Sequence, residues 1–241
     1  RRTMELDRND MFGAGLKVAR IEGKTPPLPP SAYVAQLFND YAGRFDEALV
    51  ERLNYTVPGK LAALVSGHVG PGHKFFDAVD LGCGTGLTGG ALRDMVDDMT
   101  GIDISEKMVE IAHEKDLYET LYVAELEDFL EDNDDEAFDL VTATDVLPYL
   151  GALEPLFFGA AENMTAGGIF VFSSETRPAD VMADRPFMVG PHQRFVHAET
   201  YVRERLAATG FELVEITDIN VRMQDGEPSP GHLVVAKKAG N

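Results

Sequence analysis

The stretch Ala78-Val79-Asp80-Leu81-Gly82-Cys83-Gly84-Thr85-Gly86 joins an apolar run to a glycine-rich turn. The apolar residues from Phe75 onward predict a buried parallel strand, and the glycines let the chain turn sharply into a helix that starts near Leu87. Asp103 follows Gly82 by about 20 residues, the spacing at which a carboxylate accepts hydrogen bonds from ribose hydroxyls. The pattern therefore predicts a binding site for an adenosine-containing small molecule.

Strand-like and helix-like segments alternate after Phe75, which predicts an α/β, Rossmann-like fold with helices on both faces of the sheet. The predicted strands are 75–81, 99–103, 121–124, 138–144, 168–174, 211–219 and 231–237. The turn residues Asp225-Gly226 and Pro228-Ser229-Pro230 separate the last two strands and favour an antiparallel pair. We therefore expect a seven-stranded, mostly parallel sheet whose last strand is antiparallel.

A helical extension is predicted before the sheet. Residues 10–22 show helical spacing of apolar residues, and the proline-rich segment 26–30 ends that helix. An aromatic and aliphatic stripe then predicts two helices broken near Gly43, with a third at 58–65; its members are Tyr33, Leu37, Phe38, Tyr41, Phe45, Leu49 and Leu53. We expect a leader with a linker, residues 1–30, and a main domain, residues 31–241, with a helical cap over 31–67.

The amino-acid composition disfavours several classes of partner and location. The chain has 241 residues, a formal net charge of −20 and a sequence pI of about 4.5, which disfavours a nucleic-acid partner because such binding depends on clustered Lys and Arg. Cys83 is the only cysteine, so a reducing compartment is expected. No window approaches the roughly 20 apolar residues of a membrane span. These features predict a soluble, cytoplasmic protein, and a chain that opens with Arg1-Arg2 is compatible with a fragment or a processed product.

The glycine turn by itself leaves two classes of ligand open. Residues 84–89 also fit the dinucleotide pattern G-x-G-x-x-G, as in a NAD(P)-dependent oxidoreductase. Asp80, however, precedes Gly82 by two residues, and an acid there suits a cationic amine, whereas it would repel a pyrophosphate. The lack of a Tyr-x-x-x-Lys pair also disfavours hydride transfer.

From about Tyr33 to Lys238 the chain resembles class I S-adenosylmethionine-dependent methyltransferases, through the motif 80–86 followed by Asp103. The resemblance implies S-adenosylmethionine as cofactor, with its methionine part at the turn, its ribose at Asp103 and its adenine beside Glu125-Leu126. Members of the family often carry Asp where this chain has Glu125. We also expect Tyr41 to cover the methionine end and Met108 to touch adenine. The expected cofactor-binding residues are Tyr41, Asp80, Gly82, Cys83, Gly84, Gly86, Asp103, Ile104, Met108, Glu125, Leu126 and Asp145.

A narrower resemblance lies in the cap. Residues 37–46 with Leu53-Asn54-Tyr55 are similar to predicted methyltransferases that follow tetratricopeptide repeats, and residues 4–10 resemble the tail of the last repeat. A complete repeat needs about 34 residues, so only a remnant fits before the linker. A cofactor-binding interaction module without turnover is therefore the second alternative to the enzyme.

Methyl transfer by in-line displacement needs no covalent protein intermediate, so the protein chiefly positions its reactants. We expect a small-molecule or protein acceptor. The segment 175–197 is long for a connection and lies where α/β sheets bind ligands; its Arg177, Arg185 and Arg194 suggest a carboxylate or phosphate on the acceptor.

Histidine could supply a general base. His192 and His197 are weak catalytic candidates, together with Arg194, because histidine titrates near neutrality. The six histidines lack metal-ligand spacing, so no metal is expected. Nothing in the sequence indicates the oligomeric state.

Overall fold

The computed structural model describes residues 7, 10–26, 28–48, 53, 55–133 and 137–240. Most of the repeat-like segment 4–10 lies outside the described residues. So do Leu49 and Asn54 of the cap.

Helices and strands alternate through most of the chain. The helices are α1 (Ala14–Glu22), α2 (Ser31–Tyr41), α3 (Val57–Val69), α4 (Leu87–Leu92), α5 (Glu106–Glu114), α6 (Leu126–Asp132), α7 (Glu154–Glu162), α8 (Ala179–Met182) and α9 (Glu199–Ala208). The strands are β1 (Phe75–Leu81), β2 (Val96–Asp103), β3 (Thr120–Val123), β4 (Phe138–Ala143), β5 (Met164–Glu175), β6 (Phe187–Val189), β7 (Phe195–His197), β8 (Phe211–Gln224) and β9 (Glu227–Lys238).

Seven strands form one sheet in the order β3-β2-β1-β4-β5-β9-β8. Strands β1 to β5 pair in parallel, whereas β9 runs antiparallel between β5 and β8. This confirms the predicted fold. The strand order reverses between β1 and β4, and in open α/β sheets the crevice for ligands lies at the carboxyl ends of the strands on either side of that switch point.

Alternate residues of the central strands face opposite sides of the sheet. In β5, Phe170 and Phe172 pack into one buried cluster with Phe157 of α7, while Val171 packs into the other with Leu61 of α3. Because both faces are covered, these strands are nearly continuous in apolar residues, as is usual for parallel sheets. The sheet is thereby fixed as a rigid base for the residues at its strand ends.

The last two strands are longer than predicted. The turn between them consists of Asp225 and Gly226, which have φ angles of 51° and 83°, whereas Pro228 and Pro230 belong to β9 and pair with β8. Prolines are tolerated there because the ladder between β5 and β9 ends at Gly231, so this part of β9 has one neighbouring strand. The predicted proline turn is therefore a strand segment.

The segment 175–197 is not a plain connection. It contains α8 and the antiparallel hairpin β6–β7. Phe195 and Val189 of the hairpin pack against Leu16 of α1 in a small buried cluster, which ties the leader helix to this insertion. Among the described residues, no helix has both the length and the apolar character to cross a membrane.

Candidate functional site

The turn after β1 is shaped by glycines. Gly82, Gly84 and Gly86 have φ angles of 74°, 54° and 90°, a region that side chains disfavour. The amides of Gly82 and Cys83 donate to the carbonyl of Ile102 at 2.8 and 2.9 Å, which ties the turn to the end of β2. A Cβ atom on Gly82 would clash with the side chain of Val146, and one on Gly84 would lie 3.8 Å from the ring of Phe45.

Asp103 ends β2 beside this turn. Its carboxylate accepts hydrogen bonds from the amides of Gly84 (2.9 Å) and Ser105 (2.8 Å). The side chain is largely buried, and burial raises the pKa of Asp103 to about 6. The acid predicted for ribose thus shares one hydrogen-bond network with the glycine turn.

Asp80, inside β1, is 1% exposed. It accepts hydrogen bonds from the hydroxyls of Thr142 (2.7 Å) and Tyr118 (2.8 Å), and burial raises its pKa to about 6. We call Asp80, the turn 82–86 and Asp103 the glycine-turn side of the site. Among the described residues, the donors to its two acids are neutral hydroxyl and amide groups.

A cleft opens over the turn, with an empty volume of about 950 Å³ including open solvent. Seven of the twelve predicted cofactor residues line it: Gly82, Gly84, Asp103, Ile104, Glu125, Leu126 and Asp145. Apolar residues complete much of the wall, among them Leu28, Pro29, Val34, Phe38, Phe45, Val146, Tyr149, Leu150 and Leu156. The sequence did not single out the contribution of the linker residues Leu28 and Pro29.

The other five predicted residues lie around the cleft rather than in its wall. Cys83 and Met108 are buried, and burial raises the pKa of the Cys83 thiol. Gly86 precedes α4, and Asp80 is enclosed by Thr142 and Tyr118. Tyr41 packs edge-on to Phe45, 5.7 Å between ring centroids. Direct contact of these five with a cofactor remains a prediction.

Polar contacts fasten the cap to the glycine-turn side and to the start of α5. Asn39 accepts hydrogen bonds from the Ser105 hydroxyl (2.8 Å) and the Lys107 amide (3.3 Å) at the start of α5. The carboxylate of Asp46 accepts from the hydroxyl of Thr85 in the glycine turn and pairs with Lys115 at 2.6 Å. These contacts hold Phe38 and Phe45 over the cleft.

Four charged residues meet behind the part of the cleft wall that Asp145 forms, and we call this group the arginine side: Asp145, Glu175, Arg194 and Arg222. Asp145 follows β4 with a left-handed φ of 61°, and its amide donates to the hydroxyl of Ser173 at 2.9 Å. Arg222 contacts Asp145 and lies 3.3 Å from Glu175, while Arg194 lies 2.9 Å from the same Glu175 oxygen. All of these charges sit at the carboxyl ends of β4 and β5.

Sequence reasoning missed Arg222 and Glu175 of this group. A bulge in the pairing of β8 with β9, between Asn220 and Arg222, interrupts the alternation of the strand, so that Val221 and Arg222 are both buried. Bulges re-aim side chains in this way. Because Arg222 lies beyond the predicted strand 211–219, the strand pattern carried no signal for it.

The histidine candidates lie elsewhere. His197 is fully buried, its Nε2 lies 3.0 Å from the carbonyl oxygen of Gly151, and burial lowers its pKa to about 4. His192 lies 3.6 Å from Asp225. Arg177 and Arg185 line a separate depression. No group of His, Cys, Asp or Glu within the described part of the chain is arranged to hold a metal ion.

Comparison with known proteins agrees with this geometry. Residues 79–172, from β1 into β5, match the model of a family described as a methyltransferase domain. The chain therefore carries a methyltransferase domain over these residues. No protein with a curated description matches the sequence.

Solved structures share the fold at low identity. An S-adenosylmethionine-dependent methyltransferase from Clostridium acetobutylicum aligns with a TM-score of 0.61 and 17% identity, over 85% of this chain and 100% of that chain. The magnesium protoporphyrin IX methyltransferase of Synechocystis with bound S-adenosylmethionine aligns with a TM-score of 0.54 and 21% identity, over 76% of this chain and 78% of that chain. The N-methyltransferase NodS of Bradyrhizobium japonicum aligns with a TM-score of 0.56 and 17% identity, over 76% of this chain and 94% of that chain.

Proposed function

We propose that the cleft binds S-adenosylmethionine with its ribose at Asp103, its adenine beside Glu125 and Leu126, and its methionine part at the glycine turn. The observation that carries this proposal is that Asp103 and the turn form one hydrogen-bonded unit in the cleft wall, through the 2.9 Å bond from the Gly84 amide. The acceptor is a small molecule or a protein.

The charges of the wall fit a cationic cofactor. Acidic side chains in the lining are Asp103, Glu125, Glu127 and Asp145, and the described lining contains no Lys, Arg or His. Glu127 adds a buried oxygen without a hydrogen bond, and burial raises its pKa. A sulfonium and an ammonium group are favoured by such a wall, whereas a pyrophosphate is repelled. When bound, S-adenosylmethionine supplies an activated methyl group.

The residues of the chain then act by position. The rigid strand ends fix Asp103 and Asp145, and the cap places Phe38 and Phe45 over the cleft, which limits the entry of water. Ordering two reactants in this way can lower a barrier by about 7 to 11 kcal/mol. A covalent nucleophile is unnecessary, and positioning is the contribution that we assign to the protein.

Calorimetric titration tests the proposal. S-adenosylhomocysteine should bind to the purified chain at micromolar concentrations, and NAD⁺ should release no heat under the same conditions. Preferential binding of NAD⁺ would favour an oxidoreductase instead. If S-adenosylmethionine binds but no S-adenosylhomocysteine is formed from it with a broad set of acceptors, the chain would be a cofactor-binding module without turnover.

The remaining expectations belong to the same proposal. We infer a leader over residues 1–30 and a methyltransferase domain over 31–241, with a cap at 31–67 that closes over the cofactor. The likeness to methyltransferases that follow tetratricopeptide repeats and a cytoplasmic location are part of it too. What supports the cap is its fastening through Asn39 and Asp46.

A further inference from the structure

The arginine side contains two guanidinium groups that are almost wholly removed from solvent. The side chains of Arg222 and Arg194 are 4% and 10% exposed, and that of Glu175, which lies between them, is 7% exposed. Taking charges out of water is unfavourable unless their partners and hydrogen bonds compensate. A buried group of this kind therefore needs an explanation.

Hydrogen bonding within the group is incomplete. The Nε atoms of Arg194 and Arg222 and Oε1 of Glu175 are all buried without a hydrogen bond of acceptable geometry, although the ion-pair distances are short. Buried polar atoms in folded proteins are normally satisfied. Arg194 donates to the side-chain oxygen of Gln224 at 3.4 Å, but within the described part of the chain the two Nε donors have no well-aligned acceptor.

The arginine side borders the cleft at two residues. Asp145, which contacts Arg222, lines the cleft, and so does Tyr149. Tyr149 lies within electrostatic range of Arg194 and Glu175, and burial raises its pKa to about 12. Its hydroxyl therefore keeps its proton and can donate a hydrogen bond. An oxyanion placed here would meet donors from several sides.

Charge balance selects the kind of anion, and this step rests on the proposed function of the cleft. With both carboxylates engaged, the two arginines are neutralised by Asp145 and Glu175. If Asp145 turns to the ammonium group of the cofactor, Glu175 is the carboxylate that still pairs with the two arginines among the described residues. One positive charge is then unmatched, which suits a carboxylate better than a doubly charged phosphate.

We propose that Arg194 and Arg222 form a binding site for a carboxylate group of the methyl acceptor. The planar guanidinium fork matches two carboxylate oxygens, and the site lies at the carboxyl ends of β4 and β5 beside the cofactor cleft. Glu175 holds the two guanidiniums together and competes with the acceptor for them. Arg222 thereby becomes a specificity-determining residue.

The test uses acetate as the probe, because acetate is a carboxylate without the rest of the acceptor and so does not depend on the acceptor's shape. Acetate and its neutral isostere acetamide are titrated into the full chain saturated with S-adenosylhomocysteine, and binding is followed by ligand-observed NMR. Acetate should bind about tenfold more tightly than acetamide, as expected for charge-assisted hydrogen bonds. Equal binding of the two probes would overturn the proposal.

Two variants sharpen the test. Glu175→Gln removes the competing carboxylate and should tighten acetate binding about tenfold, a gain that misfolding does not produce. Arg194→Lys should weaken acetate binding by a similar factor because it loses the planar fork. Arg203→Lys makes the same exchange at an exposed position on α9 and, as the control, should leave acetate affinity unaltered. An unchanged affinity in Glu175→Gln would contradict the proposal.

The cofactor also carries a carboxylate, and the same variants separate the two sources. Arg194→Lys should change the affinity for S-adenosylhomocysteine less than twofold. If that affinity falls while the affinity for 5′-methylthioadenosine, which lacks the amino-acid part, does not, the arginines hold the cofactor and the proposal is wrong. If the unmodified chain binds no S-adenosylhomocysteine, it is the proposed function that fails.

Discussion

The two sides of the cleft hold their carboxylates by different means. On the glycine-turn side, Asp80 and Asp103 accept hydrogen bonds from hydroxyls and amides, and the pKa of each rises to about 6 because of burial. On the arginine side, Asp145 and Glu175 contact the guanidinium of Arg222. Burial also raises the pKa of Glu175, but its arginine neighbours oppose that rise.

The difference separates two tasks. A buried acid without a counter-ion is poorly compensated until a positive or hydroxyl-bearing ligand arrives, so Asp103 is suited to receive one. A buried acid that already has an arginine must exchange partners before it can bind anything. Substitutions on the two sides should therefore differ in their effects on the free energy of unfolding and on ligand affinity.

The largest expected effect is on stability. Arg222→Met removes one partner of a buried ion group and should lower the free energy of unfolding by about 3 to 5 kcal/mol, because Asp145 loses its counter-ion. Asp80→Asn, the matched change on the glycine-turn side, keeps a hydrogen-bonding group and should lower it by about 1 kcal/mol or less. Urea denaturation measures both. Equal losses would mean that the two sides are not built differently.

The second effect is on cofactor affinity. Asp103→Asn should weaken S-adenosylhomocysteine binding roughly 30- to 100-fold, because an amide is a poorer acceptor for ribose hydroxyls than a carboxylate. Asp98→Asn, on the exposed side of β2, is the control and should bind normally. Isothermal titration calorimetry gives the affinities. If Asp103→Asn binds as well as the unmodified chain, the ribose assignment is wrong.

The pH dependence of binding should follow the glycine-turn side. The pKa of Asp103 is about 6 in the folded chain, so lowering the pH from 8 to 5 protonates this acid and should weaken S-adenosylhomocysteine binding about tenfold. Protonation of Asp103 should weaken ligand binding, but it stabilises the folded chain. Between about pH 4 and 6 the folded chain keeps a proton that the unfolded chain has lost, so this group makes folding more favourable as the pH falls. Asp103→Asn should remove the dependence of affinity on pH, and a pH profile that the variant retains would assign it to another group.

The glycine-turn side could be predicted because its information is local. A strand, a turn and an acid at a fixed interval are all readable from the segment 75–103, and the same periodicity gave the seven strands. Positive φ angles at Gly82 and Gly84 explain why glycine stands there. These residues lie close in sequence and in space.

The arginine side could not be predicted because it is assembled from distant elements. Asp145 follows β4, Glu175 ends β5, Arg194 lies in the turn of a hairpin, and Arg222 is aimed inward by a bulge. Neither the bulge nor the hairpin follows from hydrophobic alternation alone. Arg194 was predicted to meet an acceptor, but its ion pair with Glu175 required the fold.

The smallest effect should come from the cap. Tyr41 packs edge-on to Phe45, beneath the guanidinium of Arg44 at 5.6 Å, and does not itself line the cleft. Tyr41→Ala should therefore weaken S-adenosylhomocysteine binding only about three- to tenfold, by loosening Phe45 over the glycine turn. Tyr41→Phe keeps the ring and should bind normally. Calorimetry on both variants separates the ring from the hydroxyl, and equal weakening in the two would show that the hydroxyl contacts the ligand, which would make the cap part of the binding surface rather than its cover.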